Sequence, residues 1–179
     1  MYSTLYQLDS SIIRSEAEVE TRFLQKLFAD LGFPPEAIVP KEHIPALWLT
    51  DGRKRTKKEV DFLLKDPNGI ARIVVEAKDP SKNIFDAWGQ AASYALSINK
   101  DKPYDKRIKW LLISNGIMTA LYPHDSNIPL LTLQLSDFAS GMPPYVALRT
   151  HIKYAGMLPA SKQALTFKPY LQLILINYL

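Results

Sequence analysis

The stretch Val60-Asp-Phe-Leu-Leu-Lys-Asp-Pro-Asn-Gly-Ile-Ala-Arg-Ile-Val-Val-Glu-Ala-Lys78 is the part of the sequence that decides the predicted fold. It contains two β-prone runs, residues 60–65 and 70–78, joined by Asp66-Pro67-Asn68-Gly69, a segment typical of a tight turn. The stretch therefore predicts a β-hairpin. Because side chains alternate along a strand, two sets of residues should each share a face. These sets are Val60, Phe62 and Leu64 on the first strand and Ala71, Ile73, Val75 and Ala77 on the second.

An amphipathic helix is predicted before the hairpin, over residues 15–31. Ser15 followed by Glu18 fits a capping box, and Gly32 provides the stop signal. The expected buried stripe recurs every four residues, at Val19, Phe23, Leu27 and Leu31.

Short apolar runs predict the remaining elements. We expect an irregular, proline-containing strand within residues 38–49, a helix over 84–98, and strands over 109–114, 117–122 and 130–135. Asn115-Gly116 is a strong hairpin signal between two of these strands. The order helix, three strands, helix, strands predicts an α/β protein with a central mixed sheet flanked by helices.

The length of 179 residues suits one domain with a short extension. Proline and glycine interrupt the sequence beyond Phe138, so we predict a domain over residues 1–138 and a C-terminal extension over 139–179. The extension ends in an apolar run over residues 170–179. Three readings of that run stay open: a docked segment, a homodimer contact, or the start of a larger parent chain.

Composition narrows the classes of site and partner. The sequence has no cysteine, which excludes disulfides and thiolate metal sites. A net charge of +4 mildly favours polyanionic partners. No run approaches the roughly 18 apolar residues that a bilayer span needs, and the first residues lack the pattern of a signal peptide. We therefore expect a cytoplasmic protein with no membrane partner.

Two acids and a lysine are expected to converge on the predicted hairpin. With a two-residue loop, Asp61 would lie opposite Val74 and diagonal to Glu76, at roughly 7–8 Å. Glu76 and Lys78 are two residues apart on one strand and share that face. Converging carboxylates hold hard divalent metals, and a lysine can offset charge on a phosphate. The alternative is a strand emerging into solvent with a Glu76–Lys78 ion pair.

The two helices carry further candidates. Glu16 and Glu20 fall on the same side as the apolar stripe of the first helix, where acids are costly unless paired or metal-bound. The alternative is that they only complement the helix dipole. Gln90 and Tyr94 lie one turn apart on the second helix and could bind a phosphate or orient the lysine. As a lone pair they would be ordinary helix-surface residues.

Taken together, Glu16, Asp61, Glu76-Ala77-Lys78 and Gln90-Ala-Ala-Ser-Tyr94 resemble the N-terminal nuclease domain of type I restriction enzyme R subunits. That family belongs to the PD-(D/E)xK superfamily, and the resemblance covers roughly residues 12–135. It implies a restriction-endonuclease-like fold with an αβββαβ core. Val60 stands where the superfamily pattern has proline. The P-loop motif G-x-x-x-x-G-K-[ST] of the motor is missing.

The resemblance also implies roles for individual residues. Asp61, Glu76 and the Ala77 carbonyl would hold Mg²⁺, for which Mn²⁺ can substitute, and Lys78 would be the catalytic lysine. Glu16 fits the helical acid, with Glu20 as its competitor. Gln90 and Tyr94 would form the accessory pair.

The expected function is that of a metal-dependent endonuclease acting on double-stranded DNA. The chain would be either part of a type I restriction–modification R subunit, working with other subunits or domains, or a free-standing relative. Two alternatives are a structure-selective nuclease of repair or recombination, and a catalytically silent nuclease fold that binds DNA or a protein.

A run of basic residues precedes the strand that carries Asp61. As a flexible loop beside a metal site, it would hold the DNA backbone electrostatically without reading sequence. The alternative is a solvated hairpin loop. The residues are Arg53, Lys54, Arg55, Lys57 and Lys58.

Overall fold

The structure is a computed structural model that describes residues 4–51 and 54–157, with side chains described outside residues 43–58. Six strands form one sheet in the order β1-β2-β3-β4-β5-β6. Only the β3–β4 pair is parallel, and the other four pairs are antiparallel. The strands are β1 Ile38–Asp51, β2 Lys54–Lys65, β3 Ala71–Ala77, β4 Trp110–Ser114, β5 Met118–Pro123 and β6 Leu131–Gln134.

Three helices cover the two faces of the sheet. The N-terminal helix joins Glu16–Glu18, Val19–Leu24 and Gln25–Asp30, the central helix is Trp88–Asn99 preceded by a 3-10 turn at Ile84–Ala87, and the C-terminal helix is Pro143–Ile152. The shorter 3-10 turns are Leu5–Gln7, Ser10–Ile12, Pro35–Ala37, Tyr104–Lys106, Leu135–Phe138 and Tyr154–Met157. The mixed sheet flanked by helices confirms the predicted α/β class.

The core has one apolar layer on each face of the sheet. The first layer joins the N-terminal and C-terminal helices to side chains such as Phe62, Ile73 and Val75. The second layer joins the central helix to side chains such as Leu63 and Val74. Alternate residues of β2 and β3 therefore serve opposite layers, as the period of a strand requires.

The N-terminal helix begins and ends as predicted, with one local difference. The Ser15 hydroxyl accepts from the Glu18 amide at 3.3 Å, while the Glu18 carboxylate accepts from the Arg14 amide at 2.8 Å. Gly32 ends the helix at φ +83°. The middle segment Val19–Leu24 has π-helical geometry, which the regular apolar spacing did not predict. The predicted stripe is buried at Val19, Phe23, Leu27 and Leu31.

The register of the β2–β3 hairpin differs from the prediction by two residues. The structure pairs Phe62 with Val75 and Leu63 with Val74. Asp61 lies one residue beyond the last pair, where its side chain bonds the Ala77 amide rather than lying opposite Val74. The loop accounts for one residue of this difference. The Asp66 amide bonds the Ile70 carbonyl, so three residues lie in the loop instead of the predicted two. The other comes from a bulge after Ala71, in which Arg72 has no partner in the ladder.

The bulged Arg72 makes a buried ion pair that the sequence analysis missed. Its Nε donates to Asp66 Oδ2 at 2.8 Å, and both side chains are almost fully buried. Asp66 Oδ1 accepts from the amides of Asn68 and Ile70. One aspartate therefore satisfies both the turn and the arginine, which holds the hairpin in its bulged register.

Two residues lie on a different face from the one predicted. Val60 belongs to the central-helix layer, although Phe62 and Leu64 belong to the opposite layer. Ala71 packs against the central-helix layer, away from Ile73. The bulge between Ala71 and Ile73 explains the position of Ala71. The change of face at Val60 follows Asp61, where β2 leaves regular pairing with β3.

The C-terminal helix packs within the first apolar layer through Tyr145, Leu148 and Ile152. The boundary predicted at residue 138 stays a prediction, and the apolar run over residues 170–179 lies outside the described residues. Among helices of the described ranges, none combines the length and apolar content that a bilayer span requires.

The turn between β4 and β5 generates a stability prediction. Gly116 has φ +80°, and a Cβ there would lie 3.2 Å from two Ile13 side-chain carbons and 3.4 Å from Val19. Gly69 has a similar φ of +76° but open space around it. We expect Gly116→Ala to lower the free energy of unfolding by about 2–3 kcal/mol, and Gly69→Ala by about 1 kcal/mol. Urea denaturation measures both, and equal losses would contradict the predicted contact with Ile13.

Candidate functional site

The candidate site lies where β2 and β3 stop pairing, beside the start of the N-terminal helix. Asp61 lies one residue beyond the last registered pair of that hairpin, and Glu76 is the penultimate residue of β3. Both are buried, with relative exposures of 8% and 1%. Buried carboxylates need hydrogen bonds, cations or metal ions to offset lost hydration. The contacts of each acid therefore indicate what the site can bind.

Asp61 is held by the backbone of β3. Its Oδ2 accepts from the Ala77 amide at 2.8 Å, and its Oδ1 accepts from the Lys41 ammonium at 2.9 Å. The strand β2 begins at Lys54, so Asp61 lies inside the strand rather than near its start as predicted. It nevertheless reaches the end of β3, because β3 pairs only with the later part of β2.

Glu76 has one paired oxygen and one without a partner. Lys78 Nζ donates to Oε1 at 2.6 Å, while Oε2 is buried with no hydrogen-bond partner among the described residues. Burial raises the pKa of Glu76 to about 7, and the negative charge of Asp61 adds to this, although the Lys78 hydrogen bond opposes it. The ion pair between Glu76 and Lys78, which belonged to the alternative interpretation of this strand, is present. It is largely buried rather than in solvent, with side-chain exposures of 19% for Lys78 and 2% for Glu76.

The chain around Lys78 is anchored to the β4–β5 turn. The Lys78 amide donates to the Ser114 carbonyl at 2.9 Å. Asn115 Nδ2 donates to the carbonyls of Pro80 and Lys82, at 3.3 and 3.0 Å. The same Asn115 accepts from two amides of its own turn through Oδ1. The backbone that carries the lysine is therefore fixed from a neighbouring strand.

The two candidate acids of the N-terminal helix, Glu16 and Glu20, lie close to Asp61. Carboxylate oxygens of Glu16, Glu20 and Asp61 all lie within 4.8 Å of one another. Burial raises the pKa of Glu16, and the charges of Asp61 and Glu20 raise it further, while Lys78 and Lys41 oppose them. The structure thus brings both competing helical acids to the site.

Lys41 is a site residue that the sequence analysis did not identify. Its Nζ lies 2.6 Å from Glu20 Oε1 and 2.9 Å from Asp61 Oδ1. Burial favours the neutral amine, but the hydrogen bonds to these two acids outweigh burial and raise the pKa of Lys41. No motif marks this lysine, which lies in an irregular strand about 20 residues from either acid.

Gln90 and Tyr94 lie one turn apart on the central helix, as predicted, and they are hydrogen-bonded to each other. Gln90 Nε2 donates to the Tyr94 hydroxyl at 3.0 Å, so that hydroxyl keeps its own proton for another acceptor. Tyr94 is 1% exposed, and burial raises its pKa. The hydrogen bond from Gln90 lowers the pKa of Tyr94, while the negative charges of Glu76 and Asp61 raise it further. The tyrosine therefore lies within electrostatic reach of the carboxylates.

The basic run forms a strand rather than the predicted loop. Lys54 begins β2, and the backbone pairs with β1 at Asp51↔Lys54, Thr50↔Arg55 and Trp48↔Lys57. Arg53 lies outside the described residues. The run is continuous with the strand that carries Asp61, so the β1–β2 hairpin extends from the candidate site.

The donors at the site fit a hard divalent cation. They are carboxylates gathered within the reach of one ion, and Glu76 Oε2 is a further buried oxygen without a partner. The three acids with mutually close oxygens are Glu16, Glu20 and Asp61, whereas the predicted ligands were Asp61, Glu76 and the Ala77 carbonyl, with Glu20 as a possible further ligand. Asp61 belongs to both sets, and so does Glu20 as the possible ligand. The assignment of ligands stays a prediction.

Comparison with known proteins gives a likeness of fold. No protein-family model matches the sequence, and no curated protein matches it. A fragment assigned to the HsdR subunit of a type I restriction enzyme from Vibrio vulnificus YJ016 superposes with a TM-score of 0.51 at 19% identity. The match covers 74% of this chain and 25% of that one. This chain therefore shares the fold of part of a restriction-enzyme subunit.

A second solved structure, a DrdV–DNA complex determined by cryo-electron microscopy, has a TM-score of 0.46 and 14% identity. That match covers 79% of this chain and 12% of the other. The chain thus spans about a quarter and about an eighth of the lengths of these two proteins.

The raised pKa of Glu76 predicts how stability depends on pH without metal. Its pKa of about 7 in the fold exceeds the ordinary value of 4.5, so the folded state binds this proton more tightly than the unfolded chain does. The resulting stabilisation is complete below pH 4.5 and is lost as pH rises through 7. Relative to Glu76→Gln, the wild type should lose on the order of 2–3 kcal/mol between pH 4.5 and 8.

Urea denaturation in a chelating buffer measures this difference. Glu36→Gln, at an exposed acid of the Pro35–Ala37 turn, is the matched control and should follow the wild type. Parallel stability curves for the wild type and Glu76→Gln would contradict the raised pKa.

Proposed function

We propose that this chain is a metal-dependent DNA endonuclease domain of the PD-(D/E)xK type, similar to the nuclease domain of type I restriction R subunits. It would hydrolyse phosphodiester bonds of double-stranded DNA. The observation that carries the proposal is the convergence of Asp61, Glu76 and Lys78 at one end of the β2–β3 pair, facing the acids of the N-terminal helix. The fold shared with part of the HsdR fragment supports it.

The acids would bind the metal. Asp61 and Glu76 would hold Mg²⁺ or Mn²⁺ together with the Ala77 carbonyl, and Glu16 or Glu20 would supply the helical ligand. When bound, the ion would lower the pKa of a coordinated water and neutralise charge on the phosphate. The unpartnered Glu76 Oε2 supports this, because a buried carboxylate oxygen without a donor is costly unless a cation binds it.

Lys78 would act beside the metal ligands. Its ammonium is held 2.6 Å from Glu76, and its backbone is anchored to β4, so it has a defined position at the edge of the site. A fixed positive charge there would offset charge that builds on the phosphate during attack. Tyr94, already accepting from Gln90, would donate its proton toward the carboxylates or the phosphate and orient them.

Double-stranded DNA is the proposed substrate, and other restriction–modification subunits or domains are the proposed partners. The sequence contains no P-loop motif, so ATP hydrolysis through a P-loop is not among the activities proposed for these 179 residues. The extended β1–β2 hairpin would add backbone contacts to DNA through its basic run.

Cleavage assays test the proposed active site. Supercoiled plasmid incubated with the protein and Mg²⁺ should be nicked or linearised, and Asp61→Asn or Lys78→Ala should reduce the rate at least about 100-fold. Asp86→Asn, at an exposed acid before the central helix, is the matched control and should cut at the wild-type rate. Cleavage at the wild-type rate by both active-site variants would contradict the proposed roles of Asp61 and Lys78.

Salt dependence tests the basic run. Replacing Lys54, Arg55, Lys57 and Lys58 with glutamine should weaken DNA binding uniformly across sequences. It should also reduce the slope of log K against log salt by about 2–3, because fewer counterions are released. Fluorescence anisotropy with a labelled duplex, in Ca²⁺ instead of Mg²⁺, measures both quantities.

The control for that experiment removes equal charge from the opposite end of the sheet. The control uses four lysines near the start of β4: Lys100, Lys102, Lys106 and Lys109. The start of β4 lies beside the start of β3, where the Lys109 amide bonds the Arg72 carbonyl, and Glu76 is near the other end of β3. Their replacement by glutamine should change the slope by less than about 1. An equal change in the two quadruple variants would contradict the proposed DNA path.

A further inference from the structure

Lys41 occupies the position between two acids where a cation is needed. Its ammonium contacts Glu20 Oε1 at 2.6 Å and Asp61 Oδ1 at 2.9 Å, while Asp61 Oδ2 is already bound by the Ala77 amide. The contacted Asp61 oxygen is therefore the one that faces the acid cluster. The ammonium joins strand β1, the N-terminal helix and β2 at one point.

We propose that Lys41 is an intramolecular counter-cation that holds the metal position in the metal-free protein and must leave when a divalent metal binds. This inference rests on the proposed function and takes Glu20 as the helical ligand of that metal. It assigns to Lys41 a role in tuning metal affinity, which is separate from the role of Lys78 beside the phosphate.

The distances make the two cations mutually exclusive. A divalent ion bound to Glu20 Oε1 and Asp61 Oδ1 would lie about 2.1 Å from each oxygen. The ammonium nitrogen, at 2.6 and 2.9 Å from the same oxygens, fills that space. Like charges so close together repel strongly in a partly buried site. Metal binding through these two oxygens therefore requires the ammonium to move.

The local structure allows that movement. Lys41 lies on β1, the edge strand of the described sheet, and 47% of its side chain is exposed. The ammonium can therefore reach water by side-chain rotation alone. Lys41 also has φ +49°, the only positive φ among non-glycine residues of the described ranges. This conformation interrupts the β1–β2 pairs between Pro40↔Phe62 and Glu42↔Val60, opposite Asp61.

If the metal replaces the Lys41 ammonium at these two oxygens, Lys41 should weaken metal binding. The metal must displace two charge-assisted hydrogen bonds before it can use the same oxygens, and this cost disappears when the ammonium is removed. Lys41→Met keeps much of the aliphatic stem but has no charge. We expect it to bind Mn²⁺ about tenfold more tightly than the wild type does.

Isothermal titration calorimetry of Mn²⁺ into the full chain tests this expectation. The matched control is Arg22→Met, which removes one positive charge from the N-terminal helix, the helix that carries Glu20, where Arg22 pairs with Glu18 at 3.3 Å. Its Kd should stay within about twofold of the wild type, because exposed charges are screened. A tenfold gain only in Lys41→Met supports the inference. An equal gain in Arg22→Met overturns it, because general electrostatics would explain both.

The remaining outcomes separate this inference from the proposed function. Mn²⁺ binding with the same or a higher Kd in Lys41→Met overturns the counter-cation and leaves the metal site intact. No binding in either protein overturns the metal site and the inference together. Binding only in Lys41→Met supports the inference in its strongest form.

A measurement on the wild type keeps the inference testable if Lys41→Met does not fold. In protein labelled with ¹⁵N at lysine Nζ, the Lys41 resonance is assigned as the signal missing from Lys41→Arg. Mg²⁺, at a concentration that a parallel calorimetric titration with Mg²⁺ shows to saturate the site, should shift this resonance to the position of freely hydrated lysines. A Lys41 resonance unchanged at saturation would overturn the proposal.

Discussion

The hydrogen bond from the Ala77 amide to Asp61 is the contact on which the rest of the candidate site depends. This bond connects β2 to β3 through the Asp61 side chain, just beyond the last backbone pair of the two strands. It holds one carboxylate oxygen 2.8 Å from the Ala77 nitrogen. The second oxygen then faces the N-terminal helix and Lys41. One aspartate thus links the sheet, its edge strand and a helix, because each of its two oxygens has a different partner.

The partly buried site has more negative than positive charge, and this imbalance explains the shifted pKa values of its groups. Four carboxylates, those of Glu16, Glu20, Asp61 and Glu76, share two ammonium groups. Burial and mutual repulsion raise the pKa values of two of these acids, Glu16 and Glu76. Such a cluster is stabilised by any further cation, which is why the same geometry supports both a metal site and an internal lysine that competes for it.

The hairpin illustrates how far local sequence predicts a site. Alternation predicted that Glu76 and Lys78 share a face, and their side chains are 2.6 Å apart. The partner of Asp61 could not be predicted, because a three-residue loop and a bulge at Arg72 each move the register by one residue. Both involve residues of the buried Arg72–Asp66 ion pair, and the cost of burying that pair is offset only within the folded hairpin.

The sequence by itself determined the order of the elements, the buried stripe of the first helix, and the acids and lysine near the end of β3. These follow from periodicity and turn chemistry, which act over a few residues. Only the tertiary structure decided that Glu16 and Glu20 both reach Asp61 and that Lys41 lies between two of these acids. The physical reason is that these groups come from a helix and two strands separated by some 20 residues or more, so their distances depend on packing, register and one residue at positive φ.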